Sequence, residues 1–389
     1  MDPSPPIFGL VCAGGGAHGA YQVGVLKYIH EKFCADKRSP FQVFAGSSCG
    51  SLNTSFYAAE SHHAFDSRLL LEELWLGFHV PAYHRSALKS MMISSFRHWR
   101  RPKDRATWSL LDPAPMRAIL QKGFRRKNLE RAFDCGSTLG IAVAATELVS
   151  GRACWFLEGP RASAWNIFHS LGVCAKIEVD HLAASCSVPV FLPPVKIGRY
   201  YFLDGSVSLV KPLSAALSMG ASRILSIATD RPLPLALPEY ESRFRPRISH
   251  VIRMLLNRLS HDSAWDEITE IQTFNRFYEA LSRKSKNREN HALPAPLFHD
   301  DAKPSDYQPV EVFQFSPSRR IRDSFGIAEN PQSLPRKKTR FMFHKRFIRE
   351  LIDLGYRDAS SRHDDLGAFF APSPKARRRW LFFMRRRRA

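Results

Sequence analysis

Cysteine pairs at redox or metal-binding spacing are missing from this sequence. Its seven cysteines, at positions 12, 34, 49, 135, 154, 174 and 186, contain no CxxC and join no His/Cys cluster. A structural zinc site and a disulfide framework are therefore not expected, and a reducing, cytoplasmic compartment is the simpler reading. Acidic residues are scarce beside basic ones, 36 against 57, leaving a formal charge of +21. Such an excess implies an anionic neighbour, either membrane or nucleic acid. No apolar run reads as a membrane span. The uncharged stretch 39–59 is long enough, yet Gln42, Ser47, Ser48, Ser51, Asn53, Thr54 and Ser55 lie inside it. Residues 3–26 are also uncharged, but Asp2 replaces the basic start of a signal peptide and Gly14, Gly15 and Gly16 break the run. An internal repeat is absent as well.

What is present is enough apolar material for a real core, 44% of 389 residues. Ile7 to Ala13 is a short apolar run ending in glycines, after which Val23, Leu26, Ile29 and Phe33 recur at helical spacing. The unit repeats with Phe41 to Ala45, a Gly/Ser-rich turn, and Leu52 to Ala59. Further strands are expected at 139–145, 153–157, 199–203, 224–228 and 310–315, and a last helix at 341–354. This alternation predicts an α/β fold, a three-layer α/β/α arrangement around a mainly parallel sheet. Residues 231–304 leave that rhythm: a proline-rich joint precedes two expected helices, 248–259 and 265–281. They are read as a helical insertion, dividing a main domain of 1–230 and 305–360, and 361–389 is read as a loosely ordered basic and aromatic tail.

Three motifs carry chemistry. Gly46-x-Ser48-x-Gly50 fits a nucleophile elbow, a tight strand-to-helix turn that presents a serine to the following helix N-terminus. Gly14-Gly15-Gly16-Ala17-His18-Gly19 also lies between strand and helix, where bare backbone N–H groups can converge on an anion. A P-loop is disfavoured because Ala20 and Tyr21 follow Gly19 instead of Lys and Ser/Thr. A dinucleotide site is disfavoured because Glu31 and Asp36, the acids at ribose-ligand distance, do not follow a second strand. The third motif, Phe202-Leu203-Asp204-Gly205-Ser206, ends an apolar run with an acid that burial would make a usable base. Each motif alone is also compatible with an ordinary tight turn.

Taken together and in this order, the motifs resemble the patatin-like phospholipase family. The likeness continues through 109–120 (SLLDPAPMRAIL), Ala144 to Glu147, 183–194 (AASCSVPVFLPP), Asp204 to Pro212 and 310–317 (VEVFQFSP). It implies a Ser-Asp dyad without histidine, metal or cofactor. Ser48 is then the nucleophile, Asp204 the base, and Gly14, Gly15 and Gly16 with neighbours Ala17, His18 and Gly19 the oxyanion hole. Three positions depart from the family pattern: His18 where Arg or Lys is usual, Ser206 where Gly or Ala is usual, and Val210 where Asn is common. An α/β-hydrolase triad would need a late histidine, for which His299, His344 and His363 are the candidates.

Two basic and aromatic stretches complete the picture. Ser86 to Arg105 mixes Met, Phe and Trp with five Lys and Arg before its last residue, and fits either a lid or a helix lying on lipid. In the tail, Trp380, Leu381, Phe382, Phe383 and Met384 sit between arginine runs, a composition suited to an anionic membrane interface and less so to nucleic acid. The expectation is a lipid or phospholipid ester hydrolase, peripheral on the inner face of the membrane. The alternative is a non-catalytic lipid- or nucleic-acid-binding scaffold that keeps the fold.

Overall fold

The computed structural model describes residues 5–34, 38–63, 67–78, 109, 111–167, 170–208, 212–231, 264–285, 309–319, 321 and 343–371. Ten strands form one mixed sheet: β1 Phe8–Cys12, β2 Val43–Ser47, β3 Gly140–Glu147, β4 Ala153–Glu158, β5 Trp165–Ile167, β6 Ser170–Cys174, β7 Val195–Ile197, β8 Tyr200–Asp204, β9 Arg223–Ile227 and β10 Glu311–Phe315. The spatial order is β10-β9-β1-β2-β3-β4-β6-β5, with β8 on β3 and β7 on β8. From β10 to β3 all neighbours are parallel; β4 and β8 run antiparallel to β3.

Side-chain alternation explains why both faces of this sheet are covered. Leu10 and Cys12 point into one core, with Phe44, Val143, Leu225 and Phe315. Val11 points into the other, with Val43, Ala45, Ala142 and Ile224. Helices α1 Gly19–Phe33, α2 Cys49–Glu60 and α3 Ser67–Gly77 lie on the first face. Two short helices, α4 Ala114–Gly123 and α5 Arg126–Asp134, lead into β3, and α6 Val179–Ser185 precedes β7. The second face carries α7 Pro212–Ser218 and α8 Ala264–Ser285. This is the expected α/β/α architecture.

The helix expected at 265–281 is α8, and its place is informative. Glu267 is buried, and its carboxylate accepts from the N–H groups of Leu213 and Ser214 at 2.9 Å each and from the Ser214 hydroxyl at 2.7 Å. An acid at the N-terminus of α7 satisfies orphan donors and complements the helix dipole. Since β9 and β10 are parallel neighbours, α8 also lies on the crossover that joins them. The other expected helix, 248–259, lies outside the described residues.

The C-terminal segment differs from its sequence reading. The last expected helix runs as α9, Lys345–Ser361, and residues assigned to the loose tail form α10, His363–Phe370. Two aspartates and a glycine give α10 a polar look, but Leu366 and Phe369 are buried against the first core. Buried Arg223 donates to the terminal carbonyls of Phe369 and Ala371, satisfying groups that a free helix end would leave to water. Short strands β5, β6 and β7 went unpredicted because three to five half-exposed residues give no readable period.

Helix α9 crosses α1 with backbones in contact. A Cβ on Gly355 would lie 2.0 Å from the Tyr21 carbonyl oxygen, and one on Gly24 would lie 1.9 Å from that of Ile352. Tyr21 also donates to Asp358 at 3.1 Å, which holds Ser318 N–H at 2.8 Å. Gly355→Ala should therefore force the helices apart and cost about 1 to 3 kcal/mol, as overpacking typically does. A urea midpoint that falls with an unchanged slope is the expected result; an unchanged midpoint would remove this crossing from the fold's determinants.

Candidate active site

The site begins with how β3 divides one of its edges. Strand β4 occupies one side of β3, from Ile141 to Thr146. On the other side β2 pairs as far as Ser47 opposite Ala144, and β8 takes over with Asp204 opposite Ala145. Two strands of opposite direction thus end at adjacent register positions. Their next side chains meet: the Ser48 hydroxyl donates to Asp204 Oδ2 at 2.7 Å.

Ser48 holds an unusual backbone, φ 53° and ψ −129°, as the N-cap of α2. A non-glycine residue in that region is strained, and the elbow survives because its surroundings dictate it. Its N–H donates to the Ser185 hydroxyl at 2.9 Å. Gly50 is demanded by close approach, since a Cβ there would lie 2.1 Å from the Cys12 carbonyl oxygen. Packing α2 this tightly on the end of β1 aims the positive end of its dipole at the seryl oxygen.

Asp204 is wholly buried, and burial pushes its carboxyl up to about 6 against the lowering effect of hydrogen bonds from Ser206 and Ser48. Ser206 contributes two of these bonds, N–H at 2.8 Å and hydroxyl at 2.6 Å, both to Oδ1. The departure at 206 therefore adds a donor that Gly or Ala lacks. The Asp204 backbone is fixed from both sides, its N–H to Ser187 O and its carbonyl by the Thr146 hydroxyl, each at 2.9 Å. Ser185, Ser187 and Thr146 fell in segments that resembled the family, but sequence reasoning assigned them no role. Small polar residues amid buried alanines were the signal.

The glycine loop lies against the serine. A Cβ on Gly14 would come within 3.2 Å of Ser48 Cβ. Gln22 Nε2 holds the Ala13 carbonyl at 2.8 Å, and Thr229 Oγ1 holds that of Gly14 at 2.6 Å. In a trans peptide N–H and C=O point oppositely, so the N–H groups of Gly14 and Gly15 face away from these anchors. Neither N–H donates to a partner among the described residues. Gly16 takes φ 58°, a left-handed conformation that glycine adopts without steric cost. Gln22 is steadied by Asn53 at 2.8 Å, which also holds Gly19 O at 3.0 Å and accepts from the Trp75 indole at 2.8 Å. Ala17 and His18 continue in a 3-10 turn and Gly19 opens α1, so these three support the loop. The His18 ring is buried, 6.4 Å from that of Phe347.

Other nucleophiles and bases are set aside by their surroundings. Burial pushes the Cys12 and Cys186 thiols up, which leaves them protonated. His344 caps α9, accepting from Arg346 N–H at 3.3 Å. His363 lies 3.0 Å from the Tyr28 hydroxyl and stacks on Phe33. His299, Val210, the stretch 86–105 and Trp380 to Phe383 lie outside the described residues, apart from which no group of three or more His, Cys, Asp and Glu in the described residues is arranged to hold a metal.

Ionisation of Asp204 has a thermodynamic consequence. Its folded-state value of about 6 exceeds the ordinary 3.8, so the native state holds a proton that the unfolded chain releases. Stability therefore falls as pH rises through that window, by about 3 kcal/mol for roughly two units. Asp204→Asn cannot titrate and should be the more stable protein at pH 8 while losing that advantage at pH 4. Urea midpoints at both pH values check this; parallel changes in the two proteins would show that Asp204 is not a buried ionising group.

A family model described as patatin-like phospholipase matches residues 10–217. Among solved structures, VipD from Legionella pneumophila is similar at 11% identity and TM-score 0.38, over 93% of this chain and 67% of that one. Human GIVD cytosolic phospholipase A2 is similar at 12% identity and TM-score 0.45, over 98% of this chain and 62% of that one. The chain thus spans about two thirds of the length of each. The family model covers more than half of the sequence and takes in the glycine loop, the elbow and Asp204 in the order observed here. The chain belongs to the patatin-like phospholipase family.

Proposed function

We propose that the protein is a serine acyl hydrolase that cleaves carboxylic esters of lipids through a Ser48-Asp204 dyad. The observation that carries this reading is the 2.7 Å hydrogen bond from the Ser48 hydroxyl to a fully buried carboxylate with a value near 6. At neutral pH such a group is mostly ionised yet basic enough to take the seryl proton as Oγ attacks the ester carbonyl. The tetrahedral oxyanion would lie against the Gly14 and Gly15 N–H groups and the α2 N-terminus, donors that need no reorganisation during reaction. Asp204 then returns the proton to the leaving alcohol, and an acyl-enzyme remains on Ser48. Water, deprotonated by the same carboxylate, releases the acid by the reverse sequence.

Ser206 acts as a positioning residue, holding Oδ1 so that Oδ2 stays free for Ser48. No helix in the described residues is long and apolar enough to cross a membrane. The protein would reach its lipid from a membrane surface on the cytoplasmic side, with Trp380, Leu381, Phe382 and Phe383 between arginines as one contact. A scaffold devoid of chemistry gives no reason for a strained serine against a buried, ionisable acid.

Ser48→Ala and Asp204→Asn should each lower p-nitrophenyl ester turnover by roughly three orders of magnitude or more, and the double variant should be little worse, because the two act as one unit. Circular dichroism should show both folded. Turnover within about threefold of wild type in either variant would take that residue out of the mechanism.

A further inference from the structure

Six of the seven large hydrophobic side chains found exposed among the described residues lie on connected segments at one end of the sheet. Leu148 and Val149 form the β3–β4 turn, Val190 the loop before β7, Tyr200 and Tyr201 the start of β8, and Ile167 the end of β5. Hydrogen bonds join these pieces. Leu148 N–H donates to Tyr201 O at 2.9 Å, and Arg152 donates to Asn166 at 2.6 Å and to Ile167 O at 3.1 Å. The bond from Asp204 N–H to Ser187 O brings the Val190 loop alongside β8. Val149 is 91% exposed and Val190 65%, the latter at φ 72°, a costly conformation for a β-branched residue.

Charge on this rim is mainly positive. Segments 148–157 and 186–203 hold Arg152, Lys196 and Arg199 and no Asp or Glu. The Arg199 guanidinium lies 5.0 Å from the Tyr200 ring centre, and Lys196 Nζ lies 6.0 Å from that of Tyr201. Glu147, an acid at its edge, is engaged by Val149 N–H, Ser150 N–H and the Ser150 hydroxyl. Tyrosines with an apolar body and polar tip, flanked by cations and aliphatic tips, match the chemistry of an anionic bilayer interface. The rim also stands at the end of the sheet where Ser48 lies. From Ala144, opposite Ser47, β3 runs four residues to Leu148, about 13 Å.

We infer that the β3–β4 turn, the Val190 loop and the β7–β8 hairpin form a docking rim for anionic phospholipid surface, setting the end of the sheet that bears Ser48 toward the bilayer. The inference rests on the proposed lipid hydrolase activity and supplies the membrane contact that the tail alone does not orient. A rim bound to lipid sets the bilayer surface about 13 Å along β3 from the register position of the dyad.

The test uses the full chain with vesicles of phosphatidylcholine alone or mixed with phosphatidylglycerol. Sedimentation reads binding, and turnover of a soluble p-nitrophenyl ester is read separately. Val149→Glu with Tyr200→Ser should bind the anionic vesicles at least about tenfold more weakly, because two exposed apolar side chains lose their burial in the interface and a like charge is added. Phe277→Ser, which removes an exposed large hydrophobic of α8 away from the rim, should bind as wild type does. Soluble ester turnover should persist in all three proteins. If the double variant misfolds, Val149→Glu alone, on an open turn, should still weaken binding by several-fold. Unchanged vesicle binding in the rim variants would overturn the inference. So would failure of the wild type to bind vesicles, or a wild-type dimer that the rim variants break, which would make the rim a self-association surface. Loss of soluble ester turnover in the wild type itself would instead count against the hydrolase reading and leave the binding result to stand by itself.

Discussion

The site depends on one strand edge being shared by two partners. Where β2 stops at Ser47 and β8 stops at Asp204, β3 holds both by consecutive residues, Ala144 and Ala145. That register puts a nucleophile from residue 48 and an acid from residue 204 within 2.7 Å, across 156 positions of sequence. A one-residue slip in either pairing would turn the side chain to the opposite face of the sheet. The strain at Ser48 and the bonds from Ser185, Ser187 and Thr146 fix the ends of both strands on this ruler.

Burying Asp204 costs stability because an ionised carboxylate loses water. Among the described residues this is moderated by hydrogen bonds and not by a cation. Three donors, Ser48 and two from Ser206, reach the carboxylate and leave it near 6 instead of driving it higher. A nearby arginine would hold the acid too low to act as a base at neutral pH. The all-hydroxyl and amide environment keeps it within reach of a seryl proton. The glycine loop follows the same logic, with its carbonyls tied behind by Gln22 and Thr229 so that its N–H groups face forward.

Much of this was legible in the sequence. Short apolar runs ending in Gly-rich turns marked β1, β2 and β8, because a strand that must stop abruptly beside another backbone needs small residues there. Those turns singled out Ser48, Asp204 and the Gly14 to Gly16 loop, and the resemblance of their order to the patatin-like phospholipase family supplied their roles. What did not show was anything set by tertiary pairing. That β8 would join β3 on the edge vacated by β2 has no local signature, nor does the buried role of Glu267 as a helix cap. Helix α10 was missed because Asp364 and Asp365 mask an apolar pair whose partners, such as Phe8 and Phe313 against Phe369, lie far along the chain.

The dyad is tested most directly by the reactivity of Ser48 itself. Reaction with a fluorophosphonate ester, followed by peptide mass spectrometry over pH 5 to 8, reports nucleophile and base together. A single adduct on Ser48, formed at a rate that rises with pH through an apparent value of about 6 and disappears in Asp204→Asn, is the predicted result. An adduct on another residue, or labelling of Ser48 at a rate indifferent to pH and to Asp204, would contradict it.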